Sequence, residues 1–117
     1  MIIKAEDRKP SARQNPCGGE GTIYGLGSVC AENPIPDTRI SMAAQMTLAP
    51  GASVGLHTHE KDEELDYIVS GHGSYIKNSG EKKDIGPGDV TLTRKGERHS
   101  ILADKNEPVV FFAVIVK

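Results

Sequence analysis

Residues 51–71, GASVGLHTHEKDEELDYIVSG, carry two histidines at alternate positions, a run of acidic residues after them and a glycine at each end. Side chains alternate between the two faces of a β-strand, so His57 and His59 are expected on one face with Cα atoms about 6 to 7 Å apart. Two imidazoles placed in this way can bind one metal ion at about 2.1 Å each. The stretch therefore predicts a metal site on a β-strand.

Two further ligands are predicted for this ion, one from the next strand and one from a strand distant in sequence. Glu64 can supply an oxygen ligand, and its spacing to Gly71 and its strand parity favour it over the neighbouring Glu63, which is expected in solvent. His99 can complete the set if the fold brings its strand to the others. His72 directly follows the turn glycine, and it is expected at the surface or rim rather than in the site.

The rest of the chain has an all-β pattern. Thirteen glycines and seven prolines divide it into short segments, and no apolar run repeats at helical spacing over several turns. Short strands with turn signals between them indicate a sandwich or barrel. The strands are predicted at residues 22–30, 39–48, 54–59, 64–70, 72–77, 82–85, 90–93, 98–102 and 109–116.

Several local expectations follow from these strands. Gly86-Pro87-Gly88-Asp89 fits a type II turn, and Gly71 with Gly73 indicates a tight hairpin or bulge between two strands. The alternating residues 42, 44 and 46 are expected to line the barrel. The apolar run VVFFAVIV at 109–116 is expected to be buried on both faces or to lie in a sandwich core.

Composition excludes several classes of function. A length of 117 residues suits one domain, 1–117, and a net charge of −2 provides no basic face for nucleic acid. No run of about 18 apolar residues is present, so neither a membrane span nor a membrane partner is expected. Cys17 and Cys30 lack CxxC spacing and follow no leader, and we therefore expect reduced thiols in a cytoplasmic protein.

The order and spacing of the ligand candidates resemble the two motifs of the cupin superfamily. The first, G-x5-H-x-H-x3,4-E-x6-G, is matched in full by Gly51, His57, His59, Glu64 and Gly71. The second, G-x5-P-x-G-x2-H-x3-N, is matched at Gly88, Gly96 and His99. Arg94 stands in place of its proline and Ala103 in place of its asparagine, so the second motif keeps the ligand and departs at two structural positions.

The resemblance implies a cupin-type double-stranded β-helix, that is, a jelly-roll barrel in a single domain. The motif region spans 51–103, and residues 1 to about 20 would form an N-terminal arm. A homodimer is also implied, since a small β-fold benefits from covered edge strands. Three imidazoles and a carboxylate suit a divalent transition metal, namely Mn, Fe, Ni, Co, Cu or Zn, without selecting one.

Asp66 has the same strand parity as Glu64 and is expected to face the barrel interior, where a carboxylate is costly unless it is paired. One interpretation makes it a catalytic acid or base beside the metal. The other makes it a structural residue near the rim, hydrogen-bonded to backbone or to arginine.

A metal with free positions inside a pocket is suited to Lewis-acid or redox chemistry. The leading hypothesis is a metal-dependent enzyme acting on a small polar metabolite, of the oxygenase, isomerase or epimerase, or decarboxylase or lyase type. The alternative is a non-catalytic module in which the metal holds a sugar or organic acid for binding or sensing. Both have a small-molecule ligand as partner.

Overall fold

Two antiparallel sheets form the protein, as seen in a computed structural model that describes all residues 1–117. The ten strands are β1 Lys9–Gln14, β2 Thr22–Val29, β3 Ile40–Leu48, β4 Ser53–Thr58, β5 Glu63–Ser70, β6 Gly73–Ile76, β7 Lys82–Ile85, β8 Val90–Thr93, β9 Arg98–Ala103 and β10 Val109–Val116. Two short 3₁₀ turns, Ala5–Asp7 and Pro16–Gly18, are the only helical segments. No helix is long and apolar enough to cross a membrane.

The sheets face each other with the apolar core between them. One sheet has six strands in the order β1-β2-β3-β10-β5-β8, and the other has four in the order β4-β9-β6-β7. Inward residues from both sheets, among them Leu48, Ile68, Ile101 and Val109, are almost fully buried. Alternation of inward and outward residues explains this layering, and the predicted all-β barrel is confirmed.

Nine of the ten strands were predicted to within about two residues, but β1 was not. Its sequence, KPSARQ, has no alternating apolar pattern, and all six residues are exposed. β1 pairs in register with β2 along its whole length, from Lys9 opposite Gly27 to Gln14 opposite Thr22. Backbone hydrogen bonds rather than burial define this strand, and therefore hydrophobic periodicity does not detect it.

The hairpin expected at Gly71 and Gly73 is wrong, because β5 and β6 belong to different sheets. The chain crosses from one sheet to the other here and passes close to the backbone of Pro108. Gly71 has a φ of +81°, and a Cβ at this position would collide with the Pro108 carbonyl. The glycine of the first motif is therefore needed both for its left-handed backbone and for the close passage.

Of the two expectations for β10, burial on both faces is wrong, whereas a position in the core of the sandwich is confirmed. Phe111 is buried, whereas its neighbour Phe112 is 37% exposed. β10 lies between β3 and β5, where its inward residues reach the core and its outward residues lie on the open face of the six-stranded sheet. The predicted interior face of β3 is confirmed, since Ala44 and Met46 belong to the core and Met42 packs against it.

Replacing Gly71 by alanine tests the crossover. We expect Gly71→Ala to lower the free energy of unfolding by about 2 to 5 kcal/mol, because a left-handed backbone and a backbone collision add together. Gly80→Ala is the matched control, since Gly80 has a φ of +90° but open space around its Cβ position. Gly80→Ala should lower the free energy of unfolding by only about 1 to 2 kcal/mol. Equal losses in urea unfolding would contradict the packing argument.

Candidate metal centre

The side chains of His57, His59, Glu64 and His99 converge at one end of the barrel interior. Each offers a ligand atom, and the four atoms lie within 4.8 Å of one another. The Nε2 atom of His99 lies 3.2 Å from Nε2 of His57 and 3.1 Å from Nε2 of His59. Glu64 Oε1 lies 3.2 Å from Nε2 of His59. The structure thus brings together all four predicted ligand residues.

A β-bulge in β4 points His57 into the barrel. Val54 pairs with Ile101, and His57 pairs with His99. Between these two pairs, β4 therefore contains one more residue than β9. The extra residue reverses the strand parity, and Val54 and His57 both face inward while Leu56 faces out. Gly55 lies in the bulge, and a Cβ there would collide with the Cys17 carbonyl.

His99 reaches the site because β9 is the hydrogen-bonded neighbour of β4, which places His99 directly opposite His57. The turn before β9 keeps its shape without the motif proline. The Glu97 N–H donates to the Arg94 carbonyl at 2.9 Å, and the Arg94 N–H donates to the Glu97 side chain at 2.8 Å. Gly96 supplies the left-handed residue, with a φ of +88°. Arg94 therefore replaces proline without displacing the ligand.

The preceding turn of the second motif agrees with its sequence. The Asp89 N–H donates to the Gly86 carbonyl at 3.1 Å, and Gly88 has a φ of +91°. Positive φ at the third position and Pro87 at the second define the expected type II turn. This turn links β7 in one sheet to β8 in the other.

The contacts of the histidine rings leave Nε2 as the atom that each ring presents to the cluster. His57 Nδ1 lies 2.7 Å from the Gly55 carbonyl, and His59 Nδ1 lies 2.7 Å from an Asp62 carboxylate oxygen. Both partners accept only, so each Nδ1 carries the hydrogen and each neutral Nε2 presents a lone pair. The buried Nδ1 of His99 has no hydrogen-bond partner. Only Nε2 of His99 has polar neighbours in this site, namely the Nε2 atoms of His57 and His59.

These separations fit one metal ion. Around an ion with metal–nitrogen distances of about 2.1 Å, neighbouring ligand atoms are roughly 3.0 to 3.4 Å apart in octahedral or tetrahedral geometry. The closest pairs here, at 3.1 and 3.2 Å, fall in that range. Three nitrogen lone pairs this close repel one another unless a cation or proton lies between them. The donor set is therefore suited to a divalent transition metal.

The pKa values of Glu64 and His99 are both shifted in the direction that favours cation binding. Burial raises the pKa of Glu64, but hydrogen bonds from His59 and Asp66 and the charges of the histidines outweigh it and hold the pKa at about 2. Burial lowers the pKa of His99 to about 4. At neutral pH the site thus contains an ionised carboxylate and a neutral His99, which are the protonation states that metal binding requires.

Asp66 lies one inward position deeper on β5 and is fully buried. Its Oδ2 accepts a hydrogen bond from the Thr91 hydroxyl at 3.2 Å, whereas Oδ1 accepts none. Burial, followed by the charge of Glu64 and a hydrogen bond with it, raises the pKa of Asp66 well above its usual value. Burial and the charge of Glu64 therefore favour the protonated form of Asp66. No arginine pairs with it, and it lies in the interior rather than at the rim.

Sequence reasoning missed three side chains that support the ligands. Asp62 orients the ring of His59. From the sequence, the charged residues 60–63 are expected to form a solvated surface loop. Tyr75 lies edge-on to His99, with ring centroids 5.8 Å apart, and its hydroxyl bonds Thr93 at 2.7 Å. Strand parity relative to Glu64 and His99 could have indicated Tyr75 and Thr93, but nothing local distinguishes Asp62 from its neighbours. Glu63 and His72 lie outside the cluster, as expected.

Comparison with known proteins agrees with this geometry. The cupin domain family matches residues 44–115, which include both motifs and all four ligand candidates. The chain belongs to the cupin family. An oxalate-binding protein of Thermotoga maritima is 35% identical over 99% of this chain and 93% of its own length.

Solved cupin structures share the whole fold. A crystal structure described as a predicted oxalate decarboxylase from Thermotoga maritima is 35% identical, covers 99% of this cupin and 98% of its own chain, and has a TM-score of 0.86. The polyketide cyclase RemF from Streptomyces resistomycificus, at 18% identity and a TM-score of 0.76, covers 99% of this cupin and 78% of its own chain. The latter likeness concerns the fold alone.

Metal analysis tests the ligand set. We expect one divalent ion per chain, and we expect the His59→Ala/His99→Ala variant to bind it at least about 100-fold more weakly, because two of four ligands are lost. His72→Ala is the matched control, since this exposed histidine pairs with Glu107, outside the cluster. Elemental analysis after dialysis measures both. Full occupancy in the double variant would refute the site.

Metal affinity should also depend on pH in a definite direction. A hydrogen bond to Glu64 raises the pKa of His59 above 6.5 despite partial burial, and Asp62 raises it further. The proton held on Nε2 takes the place of the ion, so metal affinity should fall as the pH drops through the neutral range toward 6. Chelator competition between pH 8 and 5.5, corrected for chelator protonation, measures this. Constant affinity across that range would contradict the assignment.

Proposed function

We propose that this cupin binds a small dicarboxylate of the oxalate class through a divalent metal held by His57, His59, Glu64 and His99. The observation that carries the proposal is the convergence of the four ligand atoms within 4.8 Å inside the barrel. Four protein ligands leave positions free on an ion that prefers six, and two adjacent oxygen atoms of one small ligand can fill them.

The charge of the site favours an anion. A divalent ion with Glu64 as its only ionised ligand keeps a net positive charge, because the imidazoles are neutral when they bind metal. The raised pKa of Asp66 favours its neutral form, which leaves this positive charge in place. A buried positive site attracts a carboxylate strongly, because the surrounding protein screens charge less than water does.

Solvent reaches the site from the side of His57. Of the four ligand residues only His57 is partly exposed, and the other three are buried. Interior side chains close the deeper side, where Asp66 and Thr91 lie under Glu64 and Tyr75 lies against His99. The burial of the other three ligand residues favours a small and compact acid over a large one.

The descriptions of the 35% identical match in Thermotoga maritima support this ligand class. The curated protein is called an oxalate-binding protein, and the solved structure is described as a predicted oxalate decarboxylase. The alignment covers nearly the whole chain, so the comparison concerns the complete barrel rather than a shared motif.

Calorimetry with metal-loaded and metal-free protein tests the proposal. We expect saturable oxalate binding to the Mn, Co or Zn form, and at least about 100-fold weaker binding, roughly 2.7 kcal/mol, in the metal-free form and in His57→Ala. Acetate, which has one carboxylate, is the ligand control and should bind more weakly than oxalate. His72→Ala is the protein control and should bind oxalate normally. Equal oxalate binding with and without metal would overturn the proposal.

Asp66 favours a second candidate function, decarboxylation of the same ligand. Conversion of hydrogen oxalate to formate and CO₂ breaks the C–C bond, and the electron pair that is left takes up a proton to form the new C–H bond. Asp66 is fully buried on the same strand as Glu64, and its raised pKa favours the protonated form, which can supply such a proton. If the protein only binds oxalate, the role of Asp66 is to hold Glu64 in place.

Asp66→Asn separates the two functions. The amide is neutral and similar in shape, so oxalate binding should stay within a few-fold of the wild type. If the protein decarboxylates oxalate, labelled formate should form with the wild type and not with Asp66→Asn. Absence of formate from all metal forms of the wild type would leave binding as the function and remove the second candidate.

A further inference from the structure

The segment between β1 and β2 covers the free edge of β4. β4 is an edge strand of the four-stranded sheet, and its only ladder partner is β9. The 3₁₀ turn Pro16–Gly18 packs against β4. We refer to residues 15–20, which contain this turn, as the N-terminal clamp.

Backbone contacts join the N-terminal clamp to the start of β4. The Ser53 N–H donates to the Glu20 carbonyl at 2.8 Å, and the Glu20 N–H donates to the Ser53 hydroxyl oxygen at 3.0 Å. Beside this pair, the backbones of Gly19 and Gly55 lie against each other. A Cβ on Gly19 would collide with the Ser53 carbonyl and the Gly55 nitrogen. A Cβ on Gly55 would collide with the Cys17 carbonyl and the Gly19 nitrogen, so neither position accepts a side chain without displacement.

The N-terminal clamp has a backbone that its own residues do not favour. Asn15 and Cys17 have φ values of +51° and +52°, in the left-handed region that is unfavourable for residues with a Cβ. Such conformations persist where surrounding contacts impose them, and they occur often beside functional sites. Pro16, which lies between these two residues, is buried and anchors the turn.

The part of β4 that the N-terminal clamp contacts is the bulge that turns His57 inward. Ladder pairs with β9 are present at Val54 and His57 but not at the two residues between them. The ladder therefore supports the bulge only at its two ends, and Gly19 supports its middle from the opposite edge. The Gly55 carbonyl lies 2.7 Å from Nδ1 of His57 and accepts its hydrogen. One peptide group thus connects the clamp to the orientation of an imidazole.

The other two histidines are oriented without the N-terminal clamp. Nδ1 of His59 lies 2.7 Å from a carboxylate oxygen of Asp62. His99 lies on β9, which has hydrogen-bonded neighbours on both sides, β4 and β6. Displacement of the clamp should therefore affect one imidazole and leave the other two in place.

We infer that the N-terminal clamp positions His57 and that Gly19 is its positioning residue, because contact between Gly19 and Gly55 fixes the carbonyl that orients the ring. The inference rests on the metal-binding part of the proposed function. It assigns part of the ligand geometry to residues 15–20, which lie outside both motifs and before the family match at residues 44–115.

Gly19→Ala tests the contact without straining the backbone, because Gly19 has a φ of −77° and lacks only the space for a Cβ. Alanine should displace Gly55 and lower the affinity for Mn or Zn at least about tenfold. X-ray absorption should find two imidazoles on the ion in place of three. Gly18→Ala is the matched control, because Gly18 has a φ of +79° and open space at its Cβ position. It should lower stability in urea but leave metal affinity unchanged.

A second measurement needs no metal. Long-range ¹H–¹⁵N NMR of the metal-free wild type should find the hydrogen of neutral His57 on Nδ1, and Gly19→Ala should lose this preference. Ser53→Ala removes the hydroxyl that accepts from the Glu20 N–H. This milder variant should change metal affinity and the His57 tautomer in the same direction, and it serves if Gly19→Ala does not fold.

The outcomes separate the N-terminal clamp from the metal site itself. A folded Gly19→Ala or Ser53→Ala variant with wild-type metal affinity and an unchanged His57 tautomer would overturn the inference. Equal losses of affinity in Gly18→Ala and Gly19→Ala would also overturn it, because general destabilisation would then explain both. A wild type that binds no metal, but whose His57 tautomer changes in Gly19→Ala, would refute the proposed function alone.

Discussion

Three imidazole nitrogens and a carboxylate face one another inside a barrel that is otherwise filled with apolar side chains. Such groups cost free energy when they are buried, unless each finds a partner. His57 and His59 direct their Nδ1 hydrogens outward to Gly55 and Asp62, so their two Nε2 lone pairs meet at the centre. A cation at this point resolves the conflict, and much of the local structure serves to hold the four groups around it.

The supporting structure comes from both sheets and from irregular backbone. The bulge in β4 turns His57 inward, the β4–β9 ladder sets His99 opposite it, and the six-stranded sheet supplies Glu64 from across the barrel. Asp66 lies buried beneath Glu64. The site thus depends on the closure of the two sheets.

The sequence predicts much of this arrangement, because both the strand pattern and the ligand spacing are local. The two-residue spacing of His57 and His59 and the alternation of residues 64–70 place the ligand candidates correctly, and the glycines at 71 and 96 identify left-handed turns. What it does not reveal depends on contacts distant in sequence. β1 is held by hydrogen bonds without burial, and the crossing at Gly71 depends on Pro108. The exposed face of β10 cannot be inferred from a wholly apolar run, because such a run does not tell a covered face from an open one.

X-ray absorption spectroscopy of protein loaded with a single metal observes the coordination of the ion itself. We expect one ion coordinated by three imidazole nitrogens at about 2.1 Å and by carboxylate oxygen, with one imidazole lost from the coordination sphere in His99→Ala. A first shell of oxygen atoms without imidazole, or one that is the same in the wild type and in His99→Ala, would contradict it.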